Sequence, residues 1–184
     1  MTTIAGPDTQ AERLAALERR VAELEAAMPE DRVSLVIFSG DLDRVLAGFI
    51  IATGAAAMGQ AVDMYFTFWG LTALKQRTDL AGKSFLQKMM SVMTPGGSSQ
   101  LPVSRMNFFG AGSRMLRAMM AQQNVESLEG LIALARELGV NIIACDMSQG
   151  VMGIRDEELL PELEHGGVGT FLGSALRSRA ALFI

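Results

Sequence analysis

The stretch VSLVIFSGDLDRVLAGFIIATGAAAMGQAVDMYFTF, residues 33–68, decides the fold class of this chain. It begins with a continuous apolar run over 33–38, which is the pattern of a strand that is covered on both faces. Residues 39–41 (SGD) then form a turn and a helix N-cap, and a long apolar helix follows. A second strand is predicted over 62–68. This strand–helix–strand order is typical of an α/β domain with a parallel sheet.

The same alternation continues to the end of the chain. Further elements are predicted in this order: helices over 83–93, 113–122 and 127–138, a strand over 140–145, a turn and a short helix over 147–160, a helix within 167–176 that starts as a strand or turn, and a strand over 181–184. We therefore predict a mostly parallel sheet with helices on both of its faces.

The composition fits one globular domain and excludes several classes of function. With 184 residues, 49% of them hydrophobic and 20% charged, the chain can bury a core and is not disordered. The net charge is −4 and no basic stretch interrupts it, which argues against a nucleic-acid partner. A single cysteine and a single histidine exclude a disulfide framework and metal sites built on several thiolates or imidazoles. We expect neither a metal nor an organic cofactor.

The first 31 residues are predicted to be a separate helical unit, followed by a core domain over 32–184. Apolar residues spaced by three and four positions form a heptad seam, and they are Leu14, Leu17, Val21, Leu24 and Met28. Pro29 ends the helix. The seam could pack on its own domain or form a short coiled coil between subunits. Since so short a seam is marginal alone, we favour the contact between subunits but leave both interpretations open.

The segment 45–74 carries only one charge, Asp63, and raises the question of a membrane span. Glycines dilute the segment, and its second half has the pattern of a β-strand. A buried helix followed by a buried strand gives the same hydropathy, so membrane association is the less favoured alternative. The N-terminus lacks the pattern of a secretory signal, and a lone cysteine suits a reducing compartment. We therefore expect a cytoplasmic protein.

The residues that follow the predicted strands should meet at one edge of the sheet, where ligands bind in parallel α/β folds. Cys145 ends the third strand just before a helical turn, where backbone N–H groups and the helix dipole favour a thiolate. Free cysteines are also commonly buried and inert. The neighbouring carboxylate of Asp146 acts against a thiolate, because a nearby negative charge raises the pKa of a thiol. These residues alone leave two interpretations open, a reactive Cys145 thiolate and a buried, inert thiol.

Five blocks of the chain resemble one known family. They are SGDLDRVLAGFIIATGAAAMG (39–59), FTFWGL (66–71), KMMSVMTPGG (88–97), SRMNFFGAG (104–112) and ACDMSQGVMGI (144–154). On these blocks the chain resembles the DsrE/DsrF-like sulfur-relay family, in the subgroup often labelled peroxiredoxin-like, over residues 33–184. The peroxiredoxin label does not carry over, because the chain has no Thr-x-x-Cys arrangement.

The resemblance implies a three-layer α/β/α sandwich with about five strands, an oligomer, and a cysteine that carries sulfane sulfur as a persulfide. That cysteine corresponds to Cys145. The usual block of the family reads closer to ACTMSMDVMG, so this chain departs from it at Asp146, Gln149 and Gly150. The acid beside the thiol bears on how easily a thiolate forms.

The predicted site combines Cys145 with residues at the ends of the other strands and in the long loop between the predicted helices over 83–93 and 113–122. The substrate-binding candidates are Gly40, Asp41, Phe68, Trp69, Asn107, Met147 and Ser148. Phe68 and Trp69 could form an apolar wall that shields a persulfide or binds an organic sulfur carrier, or they could simply pack in the core.

The first hypothesis is a cytoplasmic sulfur carrier or sulfurtransferase that exchanges sulfur with rhodanese-like or TusA-like proteins. The alternative is a non-catalytic oligomeric module that binds a small ligand or a protein partner, with a buried and inert Cys145. In both cases we predict a homo-oligomer larger than a dimer. The heptad seam and the Met-rich segments 83–93 and 113–122 offer more apolar surface than one small core can cover.

Overall fold

The computed structural model describes residues 10–184. They divide into two compact units, one ending at Glu30 and the other spanning Asp31–Ile184. The predicted N-terminal helix is present as α1, Gln10–Ala27. The five side chains of the heptad seam are between 51% and 66% exposed, so the apolar stripe is open on the surface of this helix.

The second unit is built on a five-stranded parallel sheet, as predicted. The strands are β1 (Glu30–Ile37), β2 (Ala61–Phe66), β3 (Asn141–Cys145), β4 (Glu164–Gly166) and β5 (Ser178–Phe183), in the order β4-β3-β2-β1-β5. In the centre of the sheet, Ile37 pairs with Phe66, and Phe66 pairs with Ala144. The carboxyl ends of β1, β2 and β3 therefore lie level with each other at one edge.

Six further helices surround the sheet. They are α2 (Leu42–Ala57), α3 (Phe85–Met93), α4 (Ala111–Gln122), α5 (Leu128–Glu137), α6 (Asp146–Met152) and α7 (Val168–Ala175). Short 3-10 helices cover Phe68–Leu74, Ser98–Gln100, Phe108–Gly110 and Asp156–Glu158. Two predictions were wrong in detail: the expected turn after β3 is α6, and the short helix expected after it is a 3-10 turn.

The two faces of the sheet are covered unequally. On the first face, α2 and α5 bury a large core, in which the ring of Phe49 lies 5.8 Å from that of Phe66. On the second face, a small cluster of Val36, Tyr65, Ile143 and Cys145 is packed by a single side chain of α7, Phe171. Helix α7 itself has no buried residue. The thiol thus lies on the thinly covered face.

The apolar segment 45–74 consists of most of α2, the strand β2 and the 3-10 helix that follows it. Helix α2 has 16 residues and packs against the sheet. Between residues 10 and 184 the structure has no helix with the length and apolar character required to cross a membrane.

A buried ion pair holds α3 in place. Lys83, just before α3, lies 2.7 Å from a carboxylate oxygen of Glu158, and both side chains are almost fully buried. The Lys83 ammonium also donates to the hydroxyl of Ser91 within α3, at 3.0 Å. Glu158 in turn accepts the backbone N–H groups of Asp79 and Arg155. This network joins α3 to the chain that follows α6.

Candidate functional site

Cys145 is the last residue of β3, and α6 begins at the next residue, as the sequence indicated. Cys145 is buried, with only 2% of its surface exposed. Because Phe66 pairs with Ala144, the following residues Thr67 and Cys145 are neighbours at the carboxyl ends of β2 and β3. Residues alternate between the faces of a strand, so Tyr65, Thr67 and Cys145 share the thinly covered face.

Three hydroxyl groups surround the thiol. Burial by itself would raise the pKa of Cys145, but hydrogen bonds from Ser148, Tyr65 and Thr67 outweigh it and hold this pKa below its ordinary value. Ser148 contributes both its hydroxyl and its backbone N–H. The hydroxyls of Thr67 and Ser148 also lie 2.8 Å apart and hydrogen-bond each other. The result is a buried sulfur whose negative charge is stabilised by fixed donors.

Tyr65 keeps its proton in this setting. Its burial raises its pKa far above the usual range, and the hydrogen bond to Cys145 adds to the rise. The ring of Tyr65 is stacked on that of Phe171, with centroids 5.5 Å apart, which fixes its orientation. Tyr65 is therefore a permanent donor to the sulfur.

This arrangement can stabilise a thiolate, the form of cysteine that attacks another sulfur atom. It can equally hold a negatively charged sulfur attached to Cys145, because the same donors face the same small space. In the part of the chain that the structure describes, no group of three or more His, Cys, Asp or Glu residues could hold a metal ion.

An aromatic group lies beside the hydroxyls. The ring of Phe38, which follows β1, is 5.5 Å from that of Phe68 and 5.8 Å from that of Phe183. Phe68 has a φ of 44°, in the left-handed region that non-glycine residues rarely adopt. Such strain concentrates at functional sites. Phe68, the residue with this strained backbone, directly follows Thr67, which donates to the thiol.

A cavity of about 310 Å³ opens next to this aromatic group. Its walls include Phe38 and Trp69, and Asp41 and Arg44 contribute charges of opposite sign. Gly40 lines the cavity and lies close to the backbone of Trp69, because a Cβ atom at this position would be 2.8 Å from the carbonyl oxygen of Trp69. The residues that follow β1 and β2 thus form one small-molecule-sized recess.

The structure distributes the predicted site residues over four places. Ser148 lies with Cys145, and Met147 is exposed beside them on α6. Gly40, Asp41 and Trp69 line the cavity, and Phe68 belongs to the aromatic group.

Asn107 lies apart from these residues. Its backbone oxygen accepts from Gly110 and Gly112, where the long loop enters α4. No hydrogen bond found within residues 10–184 links Asn107 to Cys145. The assignment of the whole set as site residues stays a prediction.

Sequence reasoning missed Tyr65 and Thr67. Alternation along VDMYFTF places both on one face of β2, but only the pairing of β2 with β3 brings that face to the thiol. The single histidine, His165, lies in β4, and its Nδ1 is 3.0 Å from the amide oxygen of Gln149. Asp146 points to the same ring, with its carboxylate 3.8 Å from Nδ1.

Comparison with known proteins gives consistent matches. The sequence model of the DsrE/DsrF/DrsH-like family matches residues 29–183. The chain is 40% identical over 154 residues to YrkE of Bacillus subtilis, itself uncharacterized, covering 83% of this chain and 96% of that protein. It is 29% identical over 160 residues to the sulfur carrier protein DsrE2 of Allochromatium vinosum, covering 85% and 100%. The crystal structure of the E. coli protein YchN is similar with a TM-score of 0.48 at 9% identity, over 83% of this chain and 98% of that one.

Proposed function

The chain belongs to the DsrE/DsrF/DrsH-like family, and from this premise we propose that it is a sulfur-relay protein that carries sulfane sulfur as a persulfide on Cys145. The observation that supports this most is the set of hydroxyl donors from Ser148, Tyr65 and Thr67, which lowers the pKa of a buried thiol. A cysteine that served only as a small apolar side chain would need no such donors.

Loading is a transfer between two sulfur atoms. The Cys145 thiolate attacks the outer sulfur of a donor persulfide, a new S–S bond forms at Cys145, and the donor's own S–S bond breaks. The donor leaves as a thiolate with the electron pair of that bond. In the second half-reaction an acceptor thiolate attacks the outer sulfur, and Cys145 leaves as the thiolate. Neither half-reaction consumes an oxidant or a reductant.

The hydroxyl donors assist both halves of this cycle. When Cys145 attacks, its charge is already stabilised, so the nucleophile exists at neutral pH. When Cys145 leaves, the same donors stabilise the charge that returns to its sulfur. A lowered thiol pKa thus suits a carrier that must both accept sulfur and release it.

The partners are sulfur donors and acceptors of the rhodanese or TusA type. Helix α6 begins directly after Cys145, and α7 packs Phe171 on the cluster that contains it. These two helices carry exposed apolar side chains, namely Met147, Val151, Val168 and Leu172. A protein that docks there would exclude water from the transfer, because large exposed apolar patches usually mark interaction surfaces. A cytoplasmic location agrees with the need to keep a single thiol reduced.

Intact-mass spectrometry after treatment with inorganic polysulfide tests this function. The wild-type protein should gain the mass of one or more sulfur atoms, and a reductant should remove them. Cys145→Ser should gain none, because serine is nearly isosteric but cannot form a persulfide. Equal gain in both proteins would exclude Cys145 as the carrier.

The burial of Cys145 favours one alternative, an oligomeric ligand-binding module with an inert cysteine. A thiol that is 2% exposed reacts with a donor only if the structure around it opens. Under this alternative the folded wild-type protein gains no sulfur, although it gains sulfur after unfolding in denaturant.

A further inference from the structure

We propose that the cavity lined by Asp41, Arg44 and Trp69 binds the amino-acid end of a low-molecular-weight persulfide, and so makes such a molecule a direct sulfur donor to Cys145. The inference rests on the proposed function and names a substrate class for the same site.

The cavity has the size and the polarity of a small-molecule site. At about 310 Å³ it lies at the lower end of the range for such sites, which are mostly apolar with a few placed polar groups. Phe38, Trp69 and Pro102 supply apolar wall, and Asp41 and Arg44 supply one negative and one positive charge. A zwitterionic amino acid carries the complementary pair, an ammonium and a carboxylate.

The two charges are available to a ligand. Arg44 Nε lies 3.6 Å from Asp41 Oδ2, a loose contact, and the Arg44 side chain is 57% exposed. The hydroxyl of Ser39 donates to the same oxygen of Asp41 at 2.9 Å and so fixes the carboxylate at the cavity wall. Carboxylate–guanidinium contacts are among the stronger hydrogen bonds in proteins, and Arg44 is well suited to make one.

The cavity lies within reach of the thiol. Thr67 donates its backbone N–H to Ile37, so Phe38, Thr67 and Cys145 follow three adjacent strands in register. Neighbouring strands are about 4.8 Å apart, which puts the backbones at Phe38 and Cys145 about 10 Å apart. A tripeptide-sized molecule spans about this length when extended. Its amino-acid end can occupy the cavity while its sulfur approaches Cys145.

The sulfur transfer is an exchange between two sulfur atoms that needs no oxidant or reductant. The Cys145 thiolate attacks the outer sulfur of the bound persulfide R–S–SH, the S–S bond of the donor breaks, and the small thiolate RS⁻ leaves. The ring of Phe38 lines the cavity and lies 5.5 Å from that of Phe68, which directly follows Thr67, a donor to the thiol. Because Cys145 is buried, transfer requires this aromatic group to move aside.

Binding is measured first, with a probe that cannot transfer sulfur. Trp69 is the only tryptophan in the sequence and lines the cavity, so its fluorescence reports on occupancy. S-methylglutathione should change the Trp69 emission in a saturable way, and N-acetyl-S-methylcysteine, which lacks the ammonium, should bind more weakly. Arg44→Gln and Asp41→Asn should weaken binding of S-methylglutathione by about tenfold, the order expected for one lost charge-assisted contact.

Lys88→Gln is the matched control, because Lys88 is an exposed cation on α3 and does not line the cavity. It should bind the probe as the wild type does. A fluorescence change that never saturates, or one that is equal in Arg44→Gln and wild type, would overturn the proposal.

Sulfur transfer is measured second, as the initial rate of mass gain on Cys145. The rate with glutathione persulfide divided by the rate with inorganic polysulfide should fall about tenfold in Arg44→Gln and stay constant in Lys88→Gln. An unchanged ratio in Arg44→Gln would overturn the cavity proposal and leave sulfur carriage intact. Failure of wild type to load from either donor would overturn the proposed function itself.

Discussion

The charge state of Cys145 depends on groups that are distant in sequence. Its neighbour Asp146 argues for a raised pKa when only the sequence is considered. In the structure the Asp146 side chain is 60% exposed and faces His165, whereas the hydroxyls of Ser148, Tyr65 and Thr67 reach the sulfur. Fixed donors at contact distance outweigh an exposed charge, because solvent screens the charge and not the hydrogen bonds.

Removing a donor should raise the pKa of Cys145. We predict that Ser148→Ala shifts the midpoint of the pH profile of thiol alkylation upward, because the thiolate loses a hydrogen bond and the neutral thiol loses less. The alkylation rate at pH values above both midpoints should change little. Tyr65→Phe should act in the same direction and keeps the ring that stacks on Phe171. The rate of iodoacetamide modification of the folded protein measures both effects.

Ser113→Ala provides the control for these variants. The Ser113 hydroxyl donates to the backbone oxygen of Gly110 at the start of α4. Its removal should leave the alkylation midpoint unchanged. A midpoint in Ser148→Ala equal to that of the wild type would show that the hydroxyls do not control the thiol.

At this scale the sequence predicts part of the site. Cys145 and Ser148 are recognisable because they share one motif at the end of a strand. Tyr65 and Thr67 come from another strand, and their contact with Cys145 depends on the register of β2 against β3. Local periodicity tells which face a residue occupies but not which residue lies across from it.

Among the elements, the long periodic segments were predictable and the short ones were not. Helices α2 and α5 have clear capping residues and apolar patterns in the sequence, and β1 and β2 each contain a mostly apolar run. Strand β4 has three residues, Glu164–Gly166, which is too few to show an alternation. Its place at the sheet edge follows from its pairing with β3, because Ala144 pairs with His165.

The buried ion pair before α3 makes a testable contribution to stability. We predict that Glu158→Gln lowers the free energy of unfolding by about 3–5 kcal/mol, because it leaves the buried ammonium of Lys83 without its counter-charge. Glu162→Gln is the matched control, since Glu162 pairs with Arg136 but its side chain is 84% exposed. That change should cost less than about 1 kcal/mol. Urea denaturation followed by circular dichroism measures both, and equal losses would contradict the prediction.

The same pair predicts a dependence of stability on pH. Burial alone would raise the pKa of Glu158, but hydrogen bonds from Asp79, Lys83 and Arg155 hold it below its ordinary value. In the unfolded protein the pKa of this carboxyl is about 4.3. Because its pKa in the folded protein is lower, the ionised carboxylate contributes its full stabilisation above that value. The stabilisation is lost as the pH falls through the lower pKa of the folded protein.

We therefore expect the difference in stability between wild type and Glu158→Gln to be constant near neutral pH and to shrink below pH of about 4. Urea denaturation over a series of pH values measures that difference. A difference that grows on acidification would show that Glu158 is not held ionised.

At the scale of the whole molecule, the uneven cover of the sheet is the main consequence of the fold. The face with α2 and α5 holds most of the core, while on the face with Cys145 a cluster of four buried side chains is packed by Phe171 of α7. Helix α3 adds exposed apolar side chains, including Phe85, Leu86 and Met93. The sheet and the surplus of apolar residues were predictable from the sequence. Which apolar side chains stay exposed was not, because it depends on how the helices are divided between the two faces of the sheet.

These surfaces, together with the seam of α1, support our prediction of a homo-oligomer larger than a dimer. Deleting residues 1–28 should lower the molar mass of the assembly in light scattering, because it removes the seam but spares β1, which begins at Glu30. The circular dichroism spectrum and the unfolding transition of the second unit should persist. Leu17→Glu should have a similar effect, since it places a charge in the centre of the seam, and Glu18→Gln, outside the seam, should leave the mass unchanged.

Three outcomes distinguish the roles of these surfaces. A monomeric full-length protein at micromolar concentration would refute the assembly. A truncated protein with the same number of subunits as the full-length oligomer would show that the seam packs within one chain. It would assign the assembly to the second unit. A smaller oligomer that keeps its sulfur loading on Cys145 would separate the two properties. That last result is the one we expect, because every donor to the thiol lies within residues 65–148, outside the deleted segment.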